Sequence, residues 1–371
     1  MLRRGMHAPG TNPTGASHGA QHHSRATGAR RGVIVFAIEH GPHDPDRIAP
    51  LQGRPYFEVP VRAEALLAAA TAAGHTVATP RDHGLAPIER IHEIGYLRFL
   101  AEGYGRWTRE GGSGPALRPG AFAVRHLGRL PRSAGGQAGY YLATLSAPLL
   151  PATWSVAVRS AHAAIEGADT ILHGERLAYA LCRPPGHHAC TDLAGGFCYL
   201  NNAALAAQRL IDGGSGRVAI LDFDVHHGNG TQQIFYERDD VHYVSVHGDP
   251  AALYPFYAGY ADETGTGAGL GANLNLPLPP GTGDDGFVAA VRYGLEAIVA
   301  KNPAILIVSL GFDAHAGDPT ANLAASAEGF LAVGRLIAEA GLPTLLVQEG
   351  GYIVDRLAAN LTSFLSGLGA A

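Results

Sequence analysis

Asp224 and His226 stand two residues apart, just beyond the apolar run Val218-Ala219-Ile220-Leu221, and Asp313 follows a second apolar run, Ile305 to Leu310. Two carboxylates and one imidazole can hold a divalent ion and still leave a coordination position open, as catalytic rather than structural sites do. Oxygen and nitrogen donors suit Zn²⁺ and also accommodate Fe²⁺ or Mn²⁺. A buried ion pair would explain Asp224 and His226 alone. It does not explain the third acid, or the tandem His187-His188 that follows Pro184-Pro185-Gly186. A bound metal lowers the pKa of a water toward about 7. A nearby imidazole can take that proton and later pass it to a leaving amine. Asp222 is a candidate to orient such an imidazole, with its side chain expected to point away from that of Asp224. Tyr352 follows Gly350-Gly351 and offers a phenol that could donate to an oxyanion. Gly-Gly-Tyr alone fits a tyrosine packed under a loop equally well. Taken together, these residue types spell a metal-dependent hydrolase.

Such residues need elements to bring them together. Continuous apolar runs at Val33–Ile38, Tyr179–Cys182, Val218–Leu221, Val241–Val246, Ile305–Leu310 and Thr344–Val347 read as buried strands. Helical patterns cover Arg62–Ala73 (closed by Gly74), Trp154–Glu166, Asn202–Ile211, Phe287–Ala300, Glu328–Ala340 and Arg356–Leu368. Strands without polar alternation, interleaved with helices, predict an α/β fold with a mostly parallel central sheet and helices on both faces. His187-His188, Asp222, Asp224 and His226, Asp313, and Tyr352 each follow a strand directly. In open parallel sheets ligands bind at the carboxyl ends of strands, so these residues are expected on one rim. Ala101–Gly139 is rich in Gly, Arg and Pro with little periodicity. It reads as a long insert loop, serving as a lid or an oligomer contact.

Composition narrows the class. The chain has 371 residues, 46% of them hydrophobic, and a net charge of −5. That is ample for one large catalytic domain over residues 32–371, and it gives no electrostatic grip on nucleic acid. No run approaches the length of a membrane span. Cys182, Cys190 and Cys198 are too few for a disulfide framework and match no zinc-knuckle spacing, so they read as free thiols in a reducing, cytoplasmic setting. Residues 1–31 lack an apolar signal-peptide core and read as a disordered tail, in which His18, His22 and His23 could bind metal adventitiously.

The motifs Arg183-Pro184-Pro185-Gly186-His187-His188, Gly196-Phe197-Cys198-Tyr199-Leu200-Asn201-Asn202, Asp222-Phe223-Asp224-Val225-His226-His227-Gly228-Asn229-Gly230, Ser309-Leu310-Gly311-Phe312-Asp313 and Glu349-Gly350-Gly351-Tyr352 occur in that order. In this combination the chain resembles the histone deacetylase superfamily, from about Val33 to the C-terminus. Phe57–Glu64, Gly136–Tyr141, Val246–Pro250 and Gly259–Gly265 look closer to its acetylpolyamine amidohydrolase branch. The resemblance implies an arginase–deacetylase fold and Zn²⁺ held by Asp224, His226 and Asp313. It implies His188 as the main base and acid, with His187 electrostatic, His187 on Asp222 and His188 on Asn229. Tyr352 would bind the carbonyl oxygen. Phe197 and Tyr254 would wall a substrate tunnel, with Gly196 and Gly351 beside the substrate. Structural K⁺ would lie on Asp222, Asp224, His226, Ser245 and Val246, and a second on carbonyls of Phe235, Arg238 and Val241. The insert would build a homodimer and place Phe122 at the entrance. The chain departs from the branch at positions near Arg47, Gly135 and Ser146, where polyamine-selective members carry acids; Asp44 or Asp46 are the acids nearest to substitute.

The expected reaction is removal of an acetyl group from a small acetylated alkylamine or polyamine. An acetyl-lysine peptide deacetylase would share the same chemistry. A two-manganese ureohydrolase would need more metal-binding side chains. A non-catalytic ligand-binding homologue would have no need of base, ligands and phenol together.

Overall fold

The computed structural model describes residues 33–48, 53, 55–125 and 128–369. The tail expected over residues 1–31 lies outside them. Among the described residues eight strands form one sheet: β1 (Ile34–Phe36), β2 (Thr76–Ala78), β3 (Leu177–Ala180), β4 (Val218–Asp222), β5 (Val241–Gly248), β6 (Asn273–Leu278), β7 (Ile305–Leu310) and β8 (Thr344–Gln348), in the spatial order β2-β1-β3-β8-β7-β4-β5-β6. Every pairing is parallel. The helices are α1 (Pro45–Ile48), α2 (Pro60–Ala72), α3 (Ile94–Arg109), α4 (Ala134–Tyr141), α5 (Thr153–Leu172), α6 (Asn202–Asp212), α7 (Asn229–Phe235), α8 (Asp284–Ala300), α9 (Ala327–Ala340) and α10 (Val354–Gly367).

The near-continuous apolar strands make sense because both sheet faces are covered. Side chains alternate faces along a strand. Ala178, Ala180, Val218, Ile220, Ile305, Ile307, Leu345 and Val347 pack with α3, α5 and α6. Tyr179, Leu181, Ala219, Leu221, Leu306, Val308 and Leu346 pack with α2, α8, α9 and α10. The facing stretches of α5 and α6 are built largely of alanine, including Ala157, Ala161, Ala164, Ala203 and Ala207, all buried. Small side chains let these helices approach each other and the sheet closely.

Several boundaries and elements differ from the sequence reading. Ala101–Gly139 is not one loop. Its first residues complete α3, and its last belong to α4. Gly103 and Gly105 disguise the helix, yet Tyr96, Leu97, Phe99, Leu100 and Gly103 form its buried face. Packing there outweighs the low helix propensity of glycine. Helix α5 extends beyond Glu166 to Leu172, and β3 starts at Leu177 and ends at Ala180 rather than Cys182. Edge strands β2 and β6 had no counterpart in the sequence reading, as β2 is short and mostly exposed and β6 carries Asn273, Asn275 and Pro277.

Candidate active site

Four adjacent strands, β3, β8, β7 and β4, carry the polar motifs at their carboxyl ends. Strand β4 ends at Asp222, so Asp224 and His226 sit on a bend beyond it. Side chains shape that bend: Asp222 Oδ1 accepts from Asp224 N–H at 3.2 Å, and Asp224 Oδ1 accepts from His226 N–H at 3.0 Å. Such local carboxylate–backbone bonds replace the sheet ladder once it ends.

Asp224, His226 and Asp313 are all buried, and their ligand atoms lie within 4.8 Å of one another. Val225 N–H fixes one Asp313 oxygen at 2.9 Å, and Gly350 N–H fixes one Asp224 oxygen at 2.7 Å. His226 Nε2–H donates to the Thr320 carbonyl at 3.0 Å. With Nε2–H committed to Thr320, the other ring nitrogen, Nδ1, faces Asp224 Oδ1, 3.1 Å away, and Asp313 Oδ2, 3.2 Å away. Asp313 Oδ2 is buried without a hydrogen-bond donor. Two carboxylates and an imidazole nitrogen converging in a buried site need positive charge between them, either a proton on the ring or a metal ion in its place. The donor set thus fits a divalent metal. Gly350 is required here, because a Cβ would run into the carboxylate oxygens of Asp313 and Asp224.

The tandem histidines have different partners. His187 Nδ1 meets Asp222 Oδ2 at 3.0 Å, and its Nε2 lies 3.8 Å from Asp224. Burial alone would lower this imidazole, but Asp222 and Asp224 outweigh burial and raise it to about 10. It is an imidazolium at neutral pH. His188 Nδ1 meets Asn229 Oδ1 at 2.8 Å. Burial, followed by the charges of His187 and His226, pushes this imidazole well below its ordinary value. His188 therefore stays neutral, donates Nδ1–H to Asn229 and keeps the Nε2 lone pair for a proton. Asp222 also accepts from Tyr243 Oη–H at 3.0 Å, and burial raises its carboxyl.

Phe197 sits between Tyr56 and Tyr352, with ring centroids 5.0 and 5.5 Å away. Tyr254 meets the His188 ring edge-on at 4.8 Å. Gly196 has a φ of 52°, and a Cβ there would collide with the His188 ring. Phe122 is not brought to this cluster: it is 51% exposed, in the segment where Ala123 N–H bonds the Gly139 carbonyl. Asp222 and Ser245 are register partners in β4 and β5, with Val246 next to Ser245. Phe235, Arg238 and Val241 gather at the other end of β5, where Arg238 N–H bonds the Phe235 carbonyl at 2.9 Å. At the rim, Arg47 is exposed, Asp44 accepts from Arg47 N–H at 3.2 Å, and Asp46 accepts from Tyr56 N–H at 2.8 Å. Ser146 shares a hydrogen bond with Thr144, and Gly135 lies in α4.

Four supporting residues were given no role in the sequence reading. Glu349 is fully buried and accepts from Gly186 N–H at 2.7 Å and His187 N–H at 3.1 Å, fixing the turn that carries both histidines. Arg62 in α2 donates to the Gly351 carbonyl at 2.6 Å and the Glu349 carbonyl at 2.8 Å, and its guanidinium lies 4.6 Å from the Tyr352 ring centre. Glu58 holds Arg62 and Arg183 at 2.9 and 2.8 Å. Asp318 accepts from Tyr352 N–H at 2.8 Å. The available signals were a charged residue in an apolar helix face for Arg62, and acids beside motif glycines for Glu349 and Asp318.

Residues 56–368 match the family model for the histone deacetylase domain. The chain is 45% identical over 316 residues to the acetylpolyamine amidohydrolase of Mycoplana ramosa, covering 85% of this chain and 92% of that one. It is 47% identical over 313 residues to the acetylpolyamine amidohydrolase of Burkholderia pseudomallei, covering 84% and 91%. The crystal structure of acetylpolyamine aminohydrolase from Burkholderia pseudomallei superposes with a TM-score of 0.87 at 45% identity, covering 92% of this chain and 99% of that one. This chain belongs to the histone deacetylase family and has its arginase–deacetylase fold. It is a hydrolase of the deacetylase type, and it resembles the acetylpolyamine amidohydrolases.

Proposed function

We propose that this protein removes the acetyl group from the amine of a small acetylated alkylamine or polyamine. The observation that carries the reaction is the His188–Asn229 pair beside the Asp224–His226–Asp313 cluster, with the Tyr352 side chain facing Phe197 on the same rim. The names of relatives at 45% and 47% identity support the substrate class. A Zn²⁺ held by Asp224, His226 and Asp313 would polarise the acyl carbonyl and acidify water. His188 takes the proton from the water that attacks the acyl carbon and gives it to the departing amine. His187, charged and tied to Asp222, supplies a fixed positive field beside it. Tyr352 donates its phenolic proton in a hydrogen bond to the carbonyl oxygen as charge develops there. Phe197 and Tyr254 flank the acyl chain, with the backbones of Gly196 and Gly351 alongside. K⁺ at Asp222, Asp224, His226, Ser245 and Val246, and at Phe235, Arg238 and Val241, would brace the sheet ends.

We further propose one catalytic domain over residues 32–371, a homodimer through the segment between α3 and α4 with Phe122 near the shared entrance, and a cytoplasmic location in which the three free thiols stay reduced. No helix among the described residues is long and apolar enough to cross a membrane.

One observation favours a second reading, a peptide acetyl-lysine deacetylase: the rim positions Arg47, Gly135 and Ser146 carry no acid to attract a polycation. The Zn-loaded protein should be assayed on N-acetylputrescine, N-acetylcadaverine, N⁸-acetylspermidine and an acetyl-lysine peptide. The proposal expects kcat/KM to be highest for the small acetylated amines. A preference for the peptide would replace it with the second reading.

A further inference from the structure

One short segment touches both the metal cluster and the oxyanion donor. Asp318 is 5% exposed and lies five residues after Asp313. Its Oδ2 accepts from Tyr352 N–H at 2.8 Å, and its Oδ1 accepts from Thr320 N–H at 3.0 Å and Thr320 Oγ1–H at 2.8 Å. The Thr320 carbonyl in turn accepts from His226 Nε2–H at 3.0 Å. The Gly351–Tyr352 peptide is thereby gripped at both ends. Its carbonyl receives Arg62 Nε–H at 2.6 Å, and its N–H meets Asp318. Gly350 and Gly351 could not fix that peptide themselves, since glycine restricts backbone angles least. A carboxylate can accept all three hydrogen bonds at once, and an amide of the same shape cannot, because one of its two ends is a donor.

We propose that Asp318 is a positioning residue that holds the Gly351–Tyr352 peptide and the His226 imidazole in one frame, so that phenol and metal ligand keep a fixed separation. This inference rests on the deacetylase reading. It matters because a displacement of about 1 Å in a reacting group can cost on the order of 10²-fold in rate. The same bond chain fixes which His226 nitrogen carries the proton, and so which is free for a metal.

The test is Asp318→Asn, with Thr320→Val as a milder variant that removes only the hydroxyl arm. Two quantities are read: Zn²⁺ affinity, by competition with a chromophoric chelator, and kcat and KM at saturating Zn²⁺, in both the native and Tyr352→Phe backgrounds. Asp318→Asn should weaken Zn²⁺ binding about 10–100-fold and lower kcat by a similar factor, with KM within about twofold. In the Tyr352→Phe background its effect on kcat should shrink to about threefold or less, because the phenol it positions is gone. Thr320→Val should weaken Zn²⁺ binding in the same direction by a smaller factor, and it decides the matter if Asp318→Asn does not fold. Equal losses of kcat in both backgrounds, or unchanged Zn²⁺ affinity, would overturn the proposal. If the native protein turns over none of the acetylated amides, the function fails on its own, and the Zn²⁺ affinities still decide the role of Asp318.

Discussion

His187 and His188 are chain neighbours with ring centres 4.1 Å apart, yet their surroundings set opposite charge states. A carboxylate on Nδ1 makes one an imidazolium; a neutral amide on Nδ1 leaves the other a free base. Two adjacent imidazoles could not both be charged in so buried a place, and the division gives one proton carrier and one fixed charge. Tyr352 completes the set. Burial pushes its phenol well above the ordinary value, so it remains a donor. Arg62 opposes that shift from beneath the ring without reversing it. Tyr352→Phe should lower kcat by about 10²–10³ while leaving KM nearly unchanged, since the bond strengthens only as charge develops on oxygen. Steady-state kinetics on the preferred acetylated amine would show this, and unchanged kcat would remove Tyr352 from the chemistry.

At the scale of elements, the turn after β8 is the tightest constraint. Gly350 lies against both metal-cluster carboxylates, and its N–H holds one of them. Gly350→Ala should therefore abolish stoichiometric Zn²⁺ binding while the helices persist. Metal content after dialysis, set beside far-ultraviolet circular dichroism, checks this; a full complement of Zn²⁺ in the variant would refute it. The sequence displayed the central strands and the acids and histidines at their ends because buried parallel strands are uninterrupted apolar runs and polar motifs break them sharply. Tyr352 and Asp313 were visible for that reason. Helix α3 was hidden because Gly103 and Gly105 look like loop residues until Phe99 and Leu149 are seen packed against the first of them. Arg62 and Asp318 were hidden because they reach the Tyr352 turn through backbone groups, which leave no trace in residue type. Phe122 was placed at the entrance by resemblance alone, and the exposed segment that holds it carries no packing signal of its own.

On the scale of the molecule, buried neutral imidazoles link stability to pH. Burial holds His92, His242 and His247 down to about 4, and His40 and His43 to about 3. Released in the unfolded chain, each titrates near its ordinary 6.5. Between 6.5 and 4 the unfolded state therefore binds protons that the folded state refuses, so stability falls as pH drops through that window and is fully present above it. Each histidine adds a slope of about 1.4 kcal/mol per pH unit well inside the window. The urea midpoint, with chelator present throughout, should be clearly lower at pH 5.5 than at 7.5, and should decline again between 7.5 and 8.5, because His187, raised to about 10, keeps a proton there that its unfolded counterpart has lost. Equal midpoints at 5.5 and 7.5 would contradict this. The strand order has a further consequence, for synthesis on the ribosome. Strands β7 and β8 are made after β4, β5 and β6, yet they fill the gap between β3 and β4. Until β8 emerges, the nascent chain is two half-sheets with facing, unpaired edges, a template for pairing with the wrong chain. His187 and Tyr352 lie on opposite sides of that delay, so the enzyme cannot be partly active: its chemistry switches on with the closing of the sheet.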